Sequence, residues 1–410
     1  MGWTLVNSAP LNASKEALLK AQVNLIYNPE IISSCIMRAT IIQDDETDDA
    51  TPYGRARRII VRTLVPRNPL IDEPLDQKCY ILEDAVVYEP QPHGKIPFYH
   101  PNVRAMMITY TDDLKVYYDL FDDVPLDNRL ERIALRYLTT ISKHARGIEN
   151  GYKKRVHHDQ VVDKVAFQTK YLDLKLKHAK FLIDNWVEST DPAKHVFEDL
   201  SIAAFLIELW KLQDVRPTSF VDLGCGNGVL VYILTAEGYQ GHGIEARRRK
   251  TWSIFPAKVQ ERLIQQLFVP RATQTDYTDC SRDFDEGTFV IGNHPDELTL
   301  WIPLLKCPFV VIPCCSHALS GERKRFKPKS QERKSTFASL VDHTIDIATA
   351  AGWTVQTEML RVPSTRNTAI IGLSGSFKAE NILQIINNEG GHSGWLDHAN
   401  SLTSTKGSGH

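Results

Sequence analysis

The sequence predicts an α/β fold: a Rossmann-like domain with a mostly parallel sheet, preceded by a β-rich and helical N-terminal region. Three observations carry this reading. Apolar strand segments alternate with helical ones from Phe197 onward, a glycine-rich turn follows the first of those strands, and the last two strands are separated only by Pro363-Ser364-Thr365-Arg366. Strand and helix in alternation imply parallel strands with crossover helices, whereas so short a turn implies an antiparallel closing pair.

The chain's 410 residues leave room for two domains, and 42% hydrophobic with 24% charged residues is the mixture of a globular protein rather than a disordered one. No apolar run reaches the length of a membrane span, and Met1 to Pro10 lacks the basic start and apolar core of a signal peptide, so a soluble intracellular protein with no membrane partner is expected. The seven cysteines are an odd count without C-x-x-C spacing, which favours reduced thiols in the cytoplasm or nucleus. A net charge of -2 speaks against indiscriminate coating of nucleic acid, so basic residues must be judged cluster by cluster.

Residues 1–125 read as β-rich: β-branched and apolar runs at Cys35–Ile42, Arg58–Val65, Tyr80–Leu82, Ala85–Tyr88 and Val103–Tyr110, with the acidic run Asp44–Asp49 as a solvated loop. Residues 126–195 read as a helical segment. Leu130, Ile133, Tyr137 and Ile141 share one helical face, and Val165, Leu172, Leu176, Ala179, Ile183 and Trp186 another. Between them, Lys153, Lys154 and Arg155 form a basic stretch that is either a solvated connector or a nucleic-acid contact. Residues 196–377 form the Rossmann-like domain and residues 378–410 a C-terminal tail, with a short helical stretch near Ile382–Ile386 followed by an end from Gly390 to His410, rich in Gly, Ser and Thr, that is expected to be mobile.

The strand Phe220-Val221 runs into Asp222-Leu223-Gly224-Cys225-Gly226-Asn227-Gly228, and a helix is expected from Val229. The glycines allow a tight turn and close approach of a ligand, and the helix start offers unpaired N–H groups. The third glycine falls one residue earlier than in the dinucleotide fingerprint Gly-x-Gly-x-x-Gly. Glu245 ends the next strand, roughly 20 residues past the first glycine, where Rossmann folds place a ribose-binding acid. This combination predicts a class I S-adenosylmethionine-dependent methyltransferase. Asp222, Gly224, Cys225, Gly226, Asn227, Gly228, Glu245 and Asn293 are its expected cofactor-binding residues. Asp276 and Tyr277 are candidates for the adenine, an ordinary turn being the alternative.

The segment Asn293-His294-Pro295-Asp296 follows the fourth strand and faces the acceptor. Methyltransferases acting on amino groups usually carry an aromatic ring there. Its absence favours a hydroxyl acceptor, with Asp296 and His294 as candidate catalytic groups; Asp296 as the cap of a helix Glu297–Ile302 is the other reading. No metal is expected at Cys314, Cys315, His317 and His294, because adjacent cysteines rarely reach one tetrahedral ion together. Arg247, Arg323, Lys324, Arg325 and Arg366 lie at or near the same edge and are candidates for binding RNA phosphates, with a solvated loop or an exposed helix face as the alternative.

Several segments together resemble one family. Tyr152–Asp159, His195–Leu200, Val221–Gly228, Gly292–Leu298, Ile312–His317 and Pro363–Arg366 are similar to stretches of the tRNA (uracil-O2'-)-methyltransferases that act on uridine 44 of eukaryotic serine tRNA. The glycine loop is generic to methyltransferases; the other stretches are specific to this family. The resemblance implies 2'-O-methylation of a uridine in serine tRNA, in the cytoplasm, with S-adenosylmethionine as donor. Before it is invoked, the residues leave two other readings open: a small-molecule or protein O-methyltransferase, and a catalytically silent RNA-binding subunit.

Overall fold

The computed structural model describes residues 2–152, 158–212, 217–269, 284–285, 287–330, 334–376, 379–390, 394–395, 397–398 and 401. The chain divides into two compact units, Met1–Lys154 and Arg155–His410.

The first unit contains β1 (Trp3–Pro10), α1 (Lys15–Tyr27), β2 (Ile36–Glu46), the small hairpin β3 (Ala50–Thr51) and β4 (Gly54–Arg55), β5 (Arg58–Pro66), β6 (Leu75–Ile81), β7 (Ala85–Gln91), β8 (Ala105–Tyr110), β9 (Asp113–Asp119) and α2 (Asn128–Glu149). Its large sheet is antiparallel in the order β1-β9-β8-β7-β6-β5-β2. The β-rich expectation holds, but α1 was not legible. The acidic run also departs from expectation, since Asp44, Asp45 and Glu46 continue β2, where Arg58 of β5 pairs with Asp44 at 2.6 Å. The Asp127 side chain caps α2 by accepting from the Leu130 N–H at 2.7 Å, and Leu130, Ala134, Leu138, Ile141 and Ala145 are buried with α1 against the sheet. Arg62 is buried here because its guanidinium donates to Gln77 Oε1 at 2.9 Å and to the Leu25 and Ile26 carbonyls at the end of α1, where a cation is favoured.

The second unit contains α3 (Lys164–Asp184), α4 (Pro192–Leu212), β10 (Ser219–Leu223), α5 (Val229–Ala236), β11 (Gly241–Glu245), α6 (Ala257–Gln260), β12 (Leu263–Gln265), β13 (Thr288–Asn293), β14 (Phe309–Ile312), α7 (Thr336–Ala350), β15 (Trp353–Met359), β16 (Thr368–Gly375) and α8 (Ala379–Asn388). The strand order is β12-β11-β10-β13-β14-β16-β15, parallel except for the pairings of β16 with β14 and β15. Phe220, Phe289, Ile291, Val310 and Ile312 join the core on the side of α3, α4 and α5, while Val221, Leu223, Val290, Phe309 and Val311 join the core that includes α7 and α8. Burial on both faces explains the continuous apolar runs of these strands.

Two expectations need correction. The helical residues 126–195 are divided, α2 belonging to the first unit and α3 to the second, and Val165 and Leu176 of the expected apolar face are 44% and 48% exposed. In residues 378–410 the helical stretch expected near Ile382–Ile386 is present as α8, but it is not part of a tail: Ile382, Ile386 and, in the stretch expected to be mobile, Trp395 are buried in the core that also holds Trp301. A lone Trp395 between glycine-, serine- and histidine-containing stretches carries no period that would show its burial.

Candidate active site

Chain order reverses at β10, which has β11 on one side and β13 on the other, so a crevice opens beyond their carboxyl ends. The turn after β10 is built from three residues in the left-handed region, Gly224, Gly226 and Gly228, with φ of 78°, 49° and 77°. A Cβ on Gly228 would meet Leu263 Cδ1 at 2.9 Å, so that position needs glycine for space as well as for conformation. The Asn227 side chain accepts from the Val229 N–H at 2.8 Å and thereby starts α5. Cys225 contributes backbone to the loop, for its buried side chain packs where a Cβ on Gly243 would fall 2.7 Å from Sγ. Glu245, at the tip of β11, accepts from the Gly226 N–H at 3.0 Å and from the Arg247 N–H at 3.4 Å.

Side-chain alternation along β10 and β13 turns Asp222 and Asn293 to the same face as Phe220 and Ile291, the face covered by α4. There α4 presents two adjacent acids that the sequence reading did not single out as site residues. Asp199 Oδ1 accepts from Asn293 Nδ2 at 2.9 Å, and Glu198 Oε1 lies 3.1 Å from His294 Nε2. The available signal was two consecutive carboxylates opening the apolar stretch Leu200–Trp210; Glu198 and Asp199 are only 8% and 6% exposed. Burial, and then the neighbouring Glu198 charge, push the Asp199 carboxyl up to about 7. Burial, then Asp199 and Glu245, hold Asp222 well above the usual carboxylate range.

The acceptor turn is strained. His294 and Asp296 have φ of 55° and 43°, which non-glycine residues rarely adopt, at a cost on the order of 1–3 kcal/mol each. Asp296 makes no capping bond, and two separate 3-10 turns, Asp296–Leu298 and Ile302–Leu305, replace the expected helix Glu297–Ile302. Its carboxylate instead accepts from Cys314 Sγ at 2.9 Å. Cys315 Sγ accepts from Arg366 Nη1 at 3.6 Å, which brings Arg366 to this edge. Asp296, Cys314 and Cys315 lie within 4.8 Å of one another. The Cys314 thiol is pushed up by its hydrogen bond to Cys315, by burial and by Asp296.

Arg323, Lys324 and Arg325 are exposed, but Lys324 Nζ is shared with Glu389 at 3.6 Å and with the Phe326 ring. Asp276 and Tyr277, and the basic Lys153, Lys154 and Arg155, lie outside the described residues. The segment that follows the basic stretch is anchored to β15: Glu358 accepts from the backbone N–H groups of Asp159, Gln160 and Val161, each at 2.8 Å, and Arg361 Nε donates to Asp159 at 2.9 Å. The end of β15 pairs with the start of β16, at the same sheet edge as the carboxyl ends of β13 and β14.

This site fits S-adenosylmethionine. An unpaired, buried Asp222 Oδ1, a carboxylate at the tip of β11 and a glycine turn between them supply an acceptor for an ammonium group, one for ribose hydroxyls and room for close approach. Fold and site define a class I S-adenosylmethionine-dependent methyltransferase, and residues 161–270 match the family model described as a predicted AdoMet-dependent methyltransferase. Residues 1–155 match the model of the TRM44-like N-terminal bet v1-like domain.

The chain is 38% identical to the tRNA (uracil-O(2)-)-methyltransferase of Yarrowia lipolytica, covering 98% of this chain and 95% of the relative. Its counterpart in Candida glabrata is 37% identical over 96% of this chain and 93% of its own, and that of Saccharomyces cerevisiae 40% identical over 83% and 74%. The chain belongs to the tRNA (uracil-O(2)-)-methyltransferase family.

Proposed function

We propose that this chain methylates the ribose 2'-hydroxyl of a uridine in tRNA, and that the target is uridine 44 of serine tRNA, modified in the cytoplasm. The names of its relatives support the tRNA and the uracil nucleotide. The observation that carries the hydroxyl acceptor is the turn after β13: hydrogen-bonding side chains and no Phe, Tyr or Trp, placed so close that a Cβ on Gly224 would sit 3.5 Å from Pro295 Cα. A base amine needs a stacking surface; an alcohol needs groups that orient it and receive its proton.

When bound, S-adenosylmethionine supplies an electrophilic methyl group on a sulfonium. In this reading Glu245 accepts hydrogen bonds from the donor's ribose, Asp222 and Asn293 face its amino-acid portion, and the backbone of residues 224–228 follows its contour. His294, held by Glu198, and Asp296 orient the 2'-hydroxyl for in-line attack, and one of them receives the proton as it becomes acidic in the transition state. Arg247, Arg323, Lys324, Arg325 and Arg366 hold phosphates around it, together with Lys153, Lys154 and Arg155.

Transfer of labelled methyl to purified tRNA tests this reading. A 2'-O-methyl group removes the nucleophile by which alkali cleaves RNA, so the product should resist alkali at one ribose, at position 44 of serine tRNA. Cleavage at every position of fully methylated tRNA would place the methyl on a base.

A further inference from the structure

We propose that Asp199, backed by Glu198, is a recognition element for positive charge: the Asp199–Asp222 pair receives the ammonium group of S-adenosylmethionine and gives up a proton in doing so. This rests on the reading of the crevice beyond β10 and β13 as the cofactor site.

The argument starts from charge. Asp199 and Asp222 are buried side by side, and among the described residues neither is paired with a lysine or arginine. Unpaired buried carboxylates are costly, and a site that keeps two of them needs a cation or a proton. Hydrogen bonds then fix where that cation belongs. Asn227 uses its oxygen on the Val229 N–H and its amide on Asp199; Asn293 also gives its amide to Asp199. Asp199 therefore orients the glycine loop and the acceptor turn together. The arrangement leaves Asn293 Oδ1 and Asp222 Oδ1 as buried acceptors without partners. Unpartnered acceptors beside carboxylates are the complement of an ammonium group with its three donors.

The groups facing the pair are Glu198 of α4, the Cys225 thiol and Asn227 of the loop, Asn293 of the acceptor turn and Glu245 of β11; Glu198 in turn faces His294 and His195, and Cys225 also senses Arg249. Burial raises Asp199 to about 7 and raises Asp222 as well, so the buried, unpaired carboxyl pair of the free protein holds a proton here near neutrality. An ammonium group favours the ionised carboxylates, so binding transfers that proton to the solvent and the ammonium keeps its own. Affinity then rises with pH and falls as pH drops below the free-state value, by up to about tenfold per unit for each proton released.

Isothermal titration of the full chain with S-adenosylhomocysteine, repeated at pH 7 in buffers of different ionisation enthalpy, counts the protons released. Wild type should release on the order of one proton. 5'-Methylthioadenosine, which lacks the ammonium group, should bind without release, a comparison that needs no variant. Asp199→Asn should reduce the count and flatten the pH dependence of affinity. Binding of S-adenosylhomocysteine with no proton release in wild type, or release unchanged in a folded Asp199→Asn, would overturn the proposal. Failure of both ligands to bind at all would instead overturn the assignment of the cofactor site.

Discussion

Asn293 donates its amide to Asp199 at 2.9 Å across 94 positions of sequence, joining the turn that faces the acceptor to the helix that covers the cofactor loop. In the proposed reading one carboxylate thus touches both the acceptor turn and the cofactor crevice, and the expected effects of substitution follow from which side of it a residue lies.

Glu245→Ala should weaken binding of S-adenosylhomocysteine by ~1.5–3 kcal/mol, the loss of charge-assisted hydrogen bonds to ribose. Calorimetry on the folded variant measures this, and unchanged affinity would remove Glu245 from the site. The same substitution frees the Gly226 N–H that Glu245 now accepts, so the loop should also exchange amide protons faster.

Two glycines of the loop should differ in their response to alanine. Gly226→Ala meets no atom nearer than 4.0 Å and pays only for its left-handed backbone, about 1–2 kcal/mol. Gly228→Ala carries the same backbone cost and also collides with Leu263 and Phe255, adding about 1–3 kcal/mol. Urea unfolding of the two variants should rank Gly228→Ala as the less stable.

Asp296→Asn keeps a residue tolerant of the left-handed region and breaks no capping bond, so its melting temperature should stay near that of wild type. Turnover should fall by ~100-fold or more for this variant or for His294→Ala, the scale of a lost proton acceptor. Wild-type turnover in both folded variants would exclude these two residues as proton acceptors.

Neutralising Arg323, Lys324 and Arg325 should weaken tRNA binding and flatten its salt dependence, because fewer counterions are released, while cofactor affinity stays constant. Among the single variants, Lys324→Ala should change the slope least, since Glu389 and Phe326 already engage that ammonium group. An identical slope in the triple variant and wild type would show that this stretch does not touch phosphate.

Trp395→Ala should cost about 3–5 kcal/mol, as expected for a large ring deleted from a core. Trp395 is 1% exposed and its ring centre lies 6.0 Å from that of Trp301, which itself donates to the Leu319 carbonyl. A stability equal to wild type in chemical denaturation would show that the segment does not contribute to the core.

What the sequence determined by itself was local. A strand, three glycines and a helix start within nine residues fix the loop, because left-handed backbone and orphan N–H groups are properties of the segment alone. The place of Glu245 at the end of the next strand was legible from the strand pattern, and the antiparallel closing pair from its short turn. The tertiary structure decided what crosses long stretches of chain. Glu198 meets His294 over 96 positions and Cys314 meets Asp296 over 18, contacts that exist only because α4 packs on β10 and β13 and because β14 lies beside β13. No periodicity encodes such meetings. Two adjacent acids within a helix carry no mark of burial until the sheet is laid beneath them, and burial then raises the Asp199 carboxyl.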